Sequence, residues 1–288
     1  MKIVDLFAGV GGFSLGAAAA GHDVVLAVEA DPRIAELHEL NLPEIPVVVE
    51  ELGREKPAVY ARRLRTFGRI HLHGSPPCQK LSVANKTGGD TRKGLRLVRW
   101  FLDVVDALKP SSWSMEQVPN KKLLAFLEKR AVPFHIVDCS DHQVPQRRRR
   151  VIAGTLKVVR AMRRAEGTGP TVLPKDVLTK LKPARRYSLQ NGTDNESVHR
   201  DGKYLGTRPK RPDEGLRSLD QPAHTVWRKP GKIYDHKTRK TLRTLTINEM
   251  ARLQGFPSRF KFGQKTRAMQ VIGNVLPPPL AISIVRTL

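Results

Sequence analysis

Apolar residues come along this chain in short blocks, each closed by a turn signal. Residues 2–7 (KIVDLF) read as a buried strand that stops at Gly9, Gly11 and Gly12, and 13–20 as the helix that follows. Residues 24–28 form a second apolar strand ending in Glu29. Pro32 opens a helix through residue 40, since proline suits the first helical turn. Further strands are predicted over 47–49, 69–73, 113–116, 134–137 and 151–153, and helices over 95–108 and 121–129. Short apolar strands alternating with helices imply an α/β domain with a parallel sheet covered on both faces.

The pattern breaks between residues 157 and 240, where Pro, Gly, Arg and Lys are frequent and helical periodicity is weak. This stretch reads as a second, basic, loop-rich domain. Order returns over 246–253, where Thr246 and Glu249 stand at the spacing of a capping box, and 280–288 reads as a helix that packs back on the sheet. The resulting division is a first domain over 1–156, a second over 157–263 and a returning segment over 264–288.

Charge sharpens that division. The 288 residues carry 51 Lys+Arg against 27 Asp+Glu, a net of +24, yet residues 1–56 hold 4 basic against 10 acidic side chains. Residues 57–154 are at +12 and 157–245 at +13. A field of that sign gathers polyanions, which favours nucleic acid as the partner. The acidic start suits a ligand with a cationic centre. Two cysteines build no disulfide framework. No apolar stretch reaches the ~20 residues of a membrane span, and the N-terminal block, with Asp5 and Asp23 in it, does not read as a signal peptide. The expectation is a protein that is not secreted, works in the cytoplasm, nucleoid or nucleus, and is a monomer.

Two motifs carry chemistry. The strand, glycine turn and helix start at Asp5–Phe13, with Glu29 ending the next strand, is the arrangement by which α/β proteins hold a nucleotide and its ribose hydroxyls. Gly74-Ser75-Pro76-Pro77-Cys78-Gln79 sets a cysteine just past the carboxyl end of a strand, where open sheets place their ligands, and two prolines stiffen its approach.

These residues resemble the DNA (cytosine-5) methyltransferases. The glycine turn is similar to that family's first motif, and Pro77-Cys78 to its catalytic loop. Glu116-Gln117-Val118 resembles its Glu-Asn-Val with Gln in place of Asn, and residues 146–150 (QRRRR) resemble its Gln-x-Arg-x-Arg. Arg217 to Thr225, Leu245 to Pro257, and Gln270 to Pro279 resemble its later motifs in the expected order. The resemblance implies a Rossmann-like mixed sheet that binds S-adenosyl-L-methionine, with a smaller basic target-recognition domain. It implies methyl transfer to C5 of cytosine in a short double-stranded DNA site, with the base flipped out of the duplex. Cys78 would attack C6, Glu116 would bond ring N3, and Arg148 and Arg150, alternating with Arg147 and Arg149, would face the cytosine O2. Phe7, Gly9, Gly11, Glu29, Glu50, Pro76, Asn274 and Val275 would line the cofactor site. Gln79, Ser82, Lys86, Arg92, Lys93, Gln146, Arg217 and Thr225 would meet DNA.

Two rival readings stand beside this one: a tRNA cytosine-5 methyltransferase of the same fold, whose Cys-Phe-Thr tripeptide is missing here, and a non-catalytic DNA-binding relative, which would be expected to have lost Cys78 or Glu116. His71 with His73, and Cys139 with His142, fall short of a four-ligand set, so no metal is expected.

Overall fold

The computed structural model describes residues 1–77, 91–180, 187–190, 197–200, 203–207, 216–226, 230–286 and 288. Its internal contacts group into two units. The first comprises Met1–His142, Arg149–Gly169 and Val275–Leu288, and the second Gln143–Arg148 and Pro170–Asn274.

The first unit is built on β1 (Lys2–Leu6), α1 (Gly12–Ala19), β2 (Asp23–Glu29), α2 (Pro32–Asn41), β3 (Val47–Val49), α3 (Pro57–Leu64), β4 (Ile70–Gly74), α4 (Thr91–Leu108), β5 (Ser112–Gln117), α5 (Lys121–Lys129), β6 (Phe134–Asp138), β7 (Arg149–Gly154) and α6 (Leu156–Arg164). The seven strands stand in the order β3-β2-β1-β4-β5-β7-β6. Strand order reverses between β1 and β4, so the crevice beyond their carboxyl ends is the natural ligand position. The sheet is mixed, as the family resemblance implies, and not parallel throughout as the strand–helix alternation suggests. β7 runs antiparallel to both β5 and β6. No helix separates β6 from β7, only a short 3₁₀ turn (Cys139–His142) and a loop, and strands joined without a crossover helix pair antiparallel.

One face of the sheet carries the large apolar core. Val4, Leu6, Leu72 and Met115 pack with Val98, Phe101 and Leu102 of α4 and Leu123 and Leu127 of α5, all nearly or fully sealed from solvent. Burying each such side chain contributes roughly 1.5–3 kcal/mol. The other face is covered by α1 and by α10 (Pro278–Val285), which ends short of the expected residue 288. These two helices approach closely because α1 carries glycine: a Cβ on Gly12 would sit 2.1 Å from the Leu276 carbonyl, and one on Gly16 2.4 Å from that of Pro278.

Helix α6 corrects the reading of residues from 157 onward as loop. Val158, Val159 and Met162 are buried beside β6, β7 and α10, while Lys157, Arg160, Arg163 and Arg164 lie on the outer side. The basic residues obscure an apolar stripe only three side chains wide.

The second unit contains α7 (Pro174–Val177), β8 (Tyr187–Gln190), β9 (Ser197–Arg200), β10 (Lys203–Thr207), β11 (Leu216–Ser218), β12 (Lys232–Asp235), β13 (Lys240–Thr244), α8 (Ile247–Leu253) and α9 (Lys265–Asn274). β9 and β10 pair as a hairpin, and β11-β8-β12-β13 form an antiparallel sheet around Leu189, Ile233 and Tyr234. Thr246 and Glu249 form the capping box of α8: Glu249 N–H donates to Thr246 Oγ1 (3.2 Å) and Thr246 N–H to Glu249 Oε2 (2.9 Å). The stretch Arg267–Val285 is long and apolar enough to cross a bilayer, but it is 61% buried and divides between α9 and α10 at residues 275–277.

Candidate active site

At the carboxyl end of β1 the backbone turns sharply through Phe7 (φ 60), Gly9 (φ 57) and Gly11 (φ 90). Positive φ is easy for glycine and uncommon for phenylalanine, so Phe7 marks a strained turn. Its ring meets Trp100 edge-on at 6.3 Å. Glu29 fastens the turn to β2: Gly9 N–H donates to its Oε2 (3.0 Å) and Asp31 N–H to its Oε1 (2.9 Å). Each carboxylate oxygen retains a lone pair. A Cβ on Gly9 would meet nothing within 4 Å, which leaves open space above the turn. Val275 closes against α1, its Cγ2 lying 2.7 Å from where a Gly12 Cβ would be. A carboxylate with unused lone pairs beside an open glycine turn, in an acidic stretch of chain, suits a ribose-bearing cationic cofactor. Glu50 is hydrogen-bonded backbone to backbone with Glu29 (3.0 Å), and both its carboxylate oxygens hold Arg63, at 2.8 and 2.9 Å. It lines a cavity of about 340 Å³ with Leu52, Tyr60, Arg63 and Trp100.

Beneath the turn lies a buried set that the sequence does not announce. Ser14 Oγ donates to Asp5 Oδ2 (2.7 Å) and lies 3.2 Å from His38 Nε2. Burial pushes the Asp5 carboxyl up to about 7, and burial pushes His38 down to about 4. The His38 ring fills the space a side chain at Gly11 would need.

β4 delivers Ser75, Pro76 and Pro77 to the same edge of the sheet, with Ser75 N–H bonded to the Leu6 carbonyl (3.1 Å). Gln117 ends β5 and fixes this exit: its Nε2 donates to the Pro76 carbonyl (2.9 Å) and its Oε1 accepts Val118 N–H (2.8 Å). The preceding residue, Glu116, is 8% exposed and pairs with Arg150 of β7, Nε to Oε1 at 2.5 Å. Arg150 also donates to the Arg149 carbonyl (2.8 Å). Burial alternates along the arginine run, with Arg148 and Arg150 inside and Arg147 and Arg149 exposed. Cys78, Gln79, Ser82 and Lys86 lie outside the described residues. Arg92 and Lys93 fall in the first turn of α4, and their side chains lie outside that description as well.

The remaining candidates belong to the second unit. Gln146 is fully buried and uses its amide inside the protein. Its Nε2 donates to the Leu253 carbonyl (2.9 Å) and Gln254 Oε1 (2.7 Å), and its Oε1 accepts Val226 N–H (2.7 Å). Arg148 reaches the carbonyls of Gly273 (2.8 Å) and Val226 (3.4 Å). Thr225 Oγ1 donates to the Arg147 carbonyl (2.6 Å), and Arg217 to that of Pro222 (3.0 Å). Asn274 is the exposed last residue of α9. Among the described residues no cluster of His, Cys, Asp and Glu could hold a metal ion.

The sequence matches the family described as C-5 cytosine-specific DNA methylase over residues 1–175 and 181–288. It is 29% identical to Type II methyltransferase M.HindV of Haemophilus influenzae over 98% of this chain and 94% of that one. It is 27% identical to Type II methyltransferase M1.HphI of Haemophilus parahaemolyticus over 99% and 85%. In fold it is similar to the crystal structure of the S. pombe Dnmt2 methyltransferase, with a TM-score of 0.64, 17% identity and coverage of 100% and 97%. A family match that leaves out only residues 176–180, on a mixed α/β sheet of this kind, settles membership: the chain belongs to the C-5 cytosine-specific DNA methylase family.

Proposed function

We propose that this protein methylates C5 of cytosine within a short double-stranded DNA site, using S-adenosyl-L-methionine and a covalent bond from Cys78. The observation that carries the reading is the buried Glu116–Arg150 pair at the sheet edge, next to Gln117, which anchors the loop leading to Cys78. Phe7, Gly9, Gly11 and Glu29, with Glu50, Pro76, Asn274 and Val275, would hold the cofactor, which supplies an electrophilic methyl group.

C5 of cytosine is a poor nucleophile. Addition of the Cys78 thiolate to C6 forms a C–S bond and pushes the ring's electron pair toward N3. Glu116, which pairs with Arg150, would bond N3 as that charge develops. C5 then takes the methyl group. Loss of the C5 proton returns an electron pair to the ring, and the C–S bond breaks to release Cys78. A stacked base cannot present C6 to a thiol, so the target must leave the helix. Gln79, Ser82, Lys86, Arg92 and Lys93 are assigned to that opening, and Arg148, Gln146, Arg217 and Thr225 to the base and its surroundings.

Labelled methyl transfer to duplex DNA tests the reading. Cys78→Ala should lose at least about a thousandfold in rate and keep salt-dependent DNA binding, since phosphate contacts lie elsewhere. Wild-type protein should form a stable adduct with DNA bearing 5-fluorocytosine. A Cys78→Ala protein as active as the wild type overturns the mechanism.

A further inference from the structure

Beneath the catalytic edge an unbroken line of neutral polar groups crosses the sheet. Thr155 Oγ1 lies 3.5 Å from Ser112 Oγ, which lies 2.9 Å from His71 Nδ1. His71 Nε2 is 2.9 Å from Ser114 Oγ, Ser114 Oγ is 2.7 Å from His73 Nδ1, and His73 Nε2 is 3.0 Å from Ser75 Oγ. The line follows from register. His71 pairs with Ser112 and His73 with Ser114 across parallel β4 and β5, so alternate residues of both strands share one face. Phe13 lies flat on His73 with ring centroids 3.5 Å apart, capping the line from α1. His71, His73 and Ser114 have no solvent exposure, whereas Ser112 and Thr155, at the amino-terminal edge of the sheet, are half-buried. The far end, Ser75, stands three residues before Cys78.

Such a line can be polarised in two ways. A neutral imidazole has one donor and one acceptor nitrogen, and a hydroxyl donates once while accepting. Every link is therefore satisfied with all donors pointing toward Ser75, and equally with all pointing toward Thr155. Burial holds both rings neutral, His71 at about 3 and His73 well below the ordinary histidine value. An imidazolium, with two donors, would break the alternation.

Replacing hydrogen by methyl at C5 releases one proton per turnover, so the proposed reaction needs an exit for it. We propose that Thr155, Ser112, His71, Ser114, His73 and Ser75 form a proton relay carrying the C5 proton from the catalytic loop through the sheet to solvent at the opposite edge. This rests on the methyl-transfer reading above. A proton accepted at Ser75 displaces one from Ser75 to His73, and so along the line, until Thr155 or Ser112 gives one to water. No electrons are exchanged, and rotation of the hydroxyls with tautomer exchange of the rings resets the line. None of the six is assigned contact with the reacting atoms; a water molecule that takes the C5 proton delivers it to Ser75.

The test separates proton release from bond formation, because 5-fluorocytosine has no C5 proton to lose. Ser114→Ala and His73→Gln should turn over cytosine DNA about tenfold or more slowly, in the range of lost proton-transfer assistance. They should trap 5-fluorocytosine DNA at the wild-type rate, and their solvent deuterium isotope effect on turnover should differ from that of the wild type. Ser114→Thr should restore both. Ser112→Ala, at the half-buried end, supplies the same comparison should Ser114→Ala not fold. Turnover within twofold of wild type overturns the relay, as does a parallel fall in trapping and turnover, which marks a strut. A wild-type protein that traps no DNA overturns the covalent reading itself, and the relay with it.

Discussion

Asp5 and Glu249 are both almost sealed from solvent, at 1% and 2% exposure, and their surroundings drive them in opposite directions. Asp5, in the layered first unit, has one short bond from a serine hydroxyl and the negative charge of Glu29 nearby, so burial carries its carboxyl up to about 7. Glu249, in the second unit, also feels burial. There the Arg243 guanidinium, at 2.7 and 2.8 Å, and the N–H groups of Thr246 and Thr179 outweigh it and take the carboxyl down to about 2. Where contiguous apolar runs build the layers, burial drives Asp5, His71 and His73 toward their neutral forms. Where the chain is basic and short of apolar residues, an ionised side chain bonded to several partners ties loop to helix.

The largest expected effect tests the first half of that contrast. Asp5 is raised above its ordinary 3.8, so its contribution to stability is full below pH 4 and is lost as pH rises toward 7, by about 4 kcal/mol in all. Asp5→Asn should flatten the melting temperature between pH 4 and 8; an unchanged slope breaks the comparison. Glu249 has the opposite sign. Its stabilisation is present above the ordinary 4.5 and lost as pH falls toward 2, about 3 kcal/mol. Glu249→Gln should remove a comparable amount at pH 7 by urea titration and little at pH 2. Gln146→Ala leaves Val226 N–H and the Leu253 carbonyl buried without this partner and should cost about 2 kcal/mol, seen as faster amide exchange in the second unit. Smallest is Gln117→Ala, which frees the Pro76 carbonyl and should slow turnover about tenfold with DNA affinity unchanged, as for loss of a single net hydrogen bond.

What is legible of the candidate site's framework has local signals. The glycine turn with Glu29, the Pro76-Pro77 exit from β4, the period-two burial of Arg147 to Arg150 and the Thr246/Glu249 box each lie within a few residues or one strand–helix unit. The antiparallel β7 is hidden because strand direction depends on a loop with no periodicity. α6 is masked by Lys157, Arg160, Arg163 and Arg164, and α9 merges with α10 in one apolar run. His71 and His73 read as a weak metal pair, since the strand register that sets Ser112 and Ser114 beside them is nowhere local. The partners of the Gln146 amide, Val226 N–H and the Leu253 carbonyl, stand 80 and 107 residues along the chain and are equally non-local.

The close seat of α1 (Gly12–Ala19) against α10 (Pro278–Val285) bears on how the protein is made. A ribosome emits the glycine turn early and the helix that covers it very late, after the whole second unit. Until then the faces of α1 and α6 that pack on this helix stay uncovered, so chaperone dependence during synthesis should track its delivery.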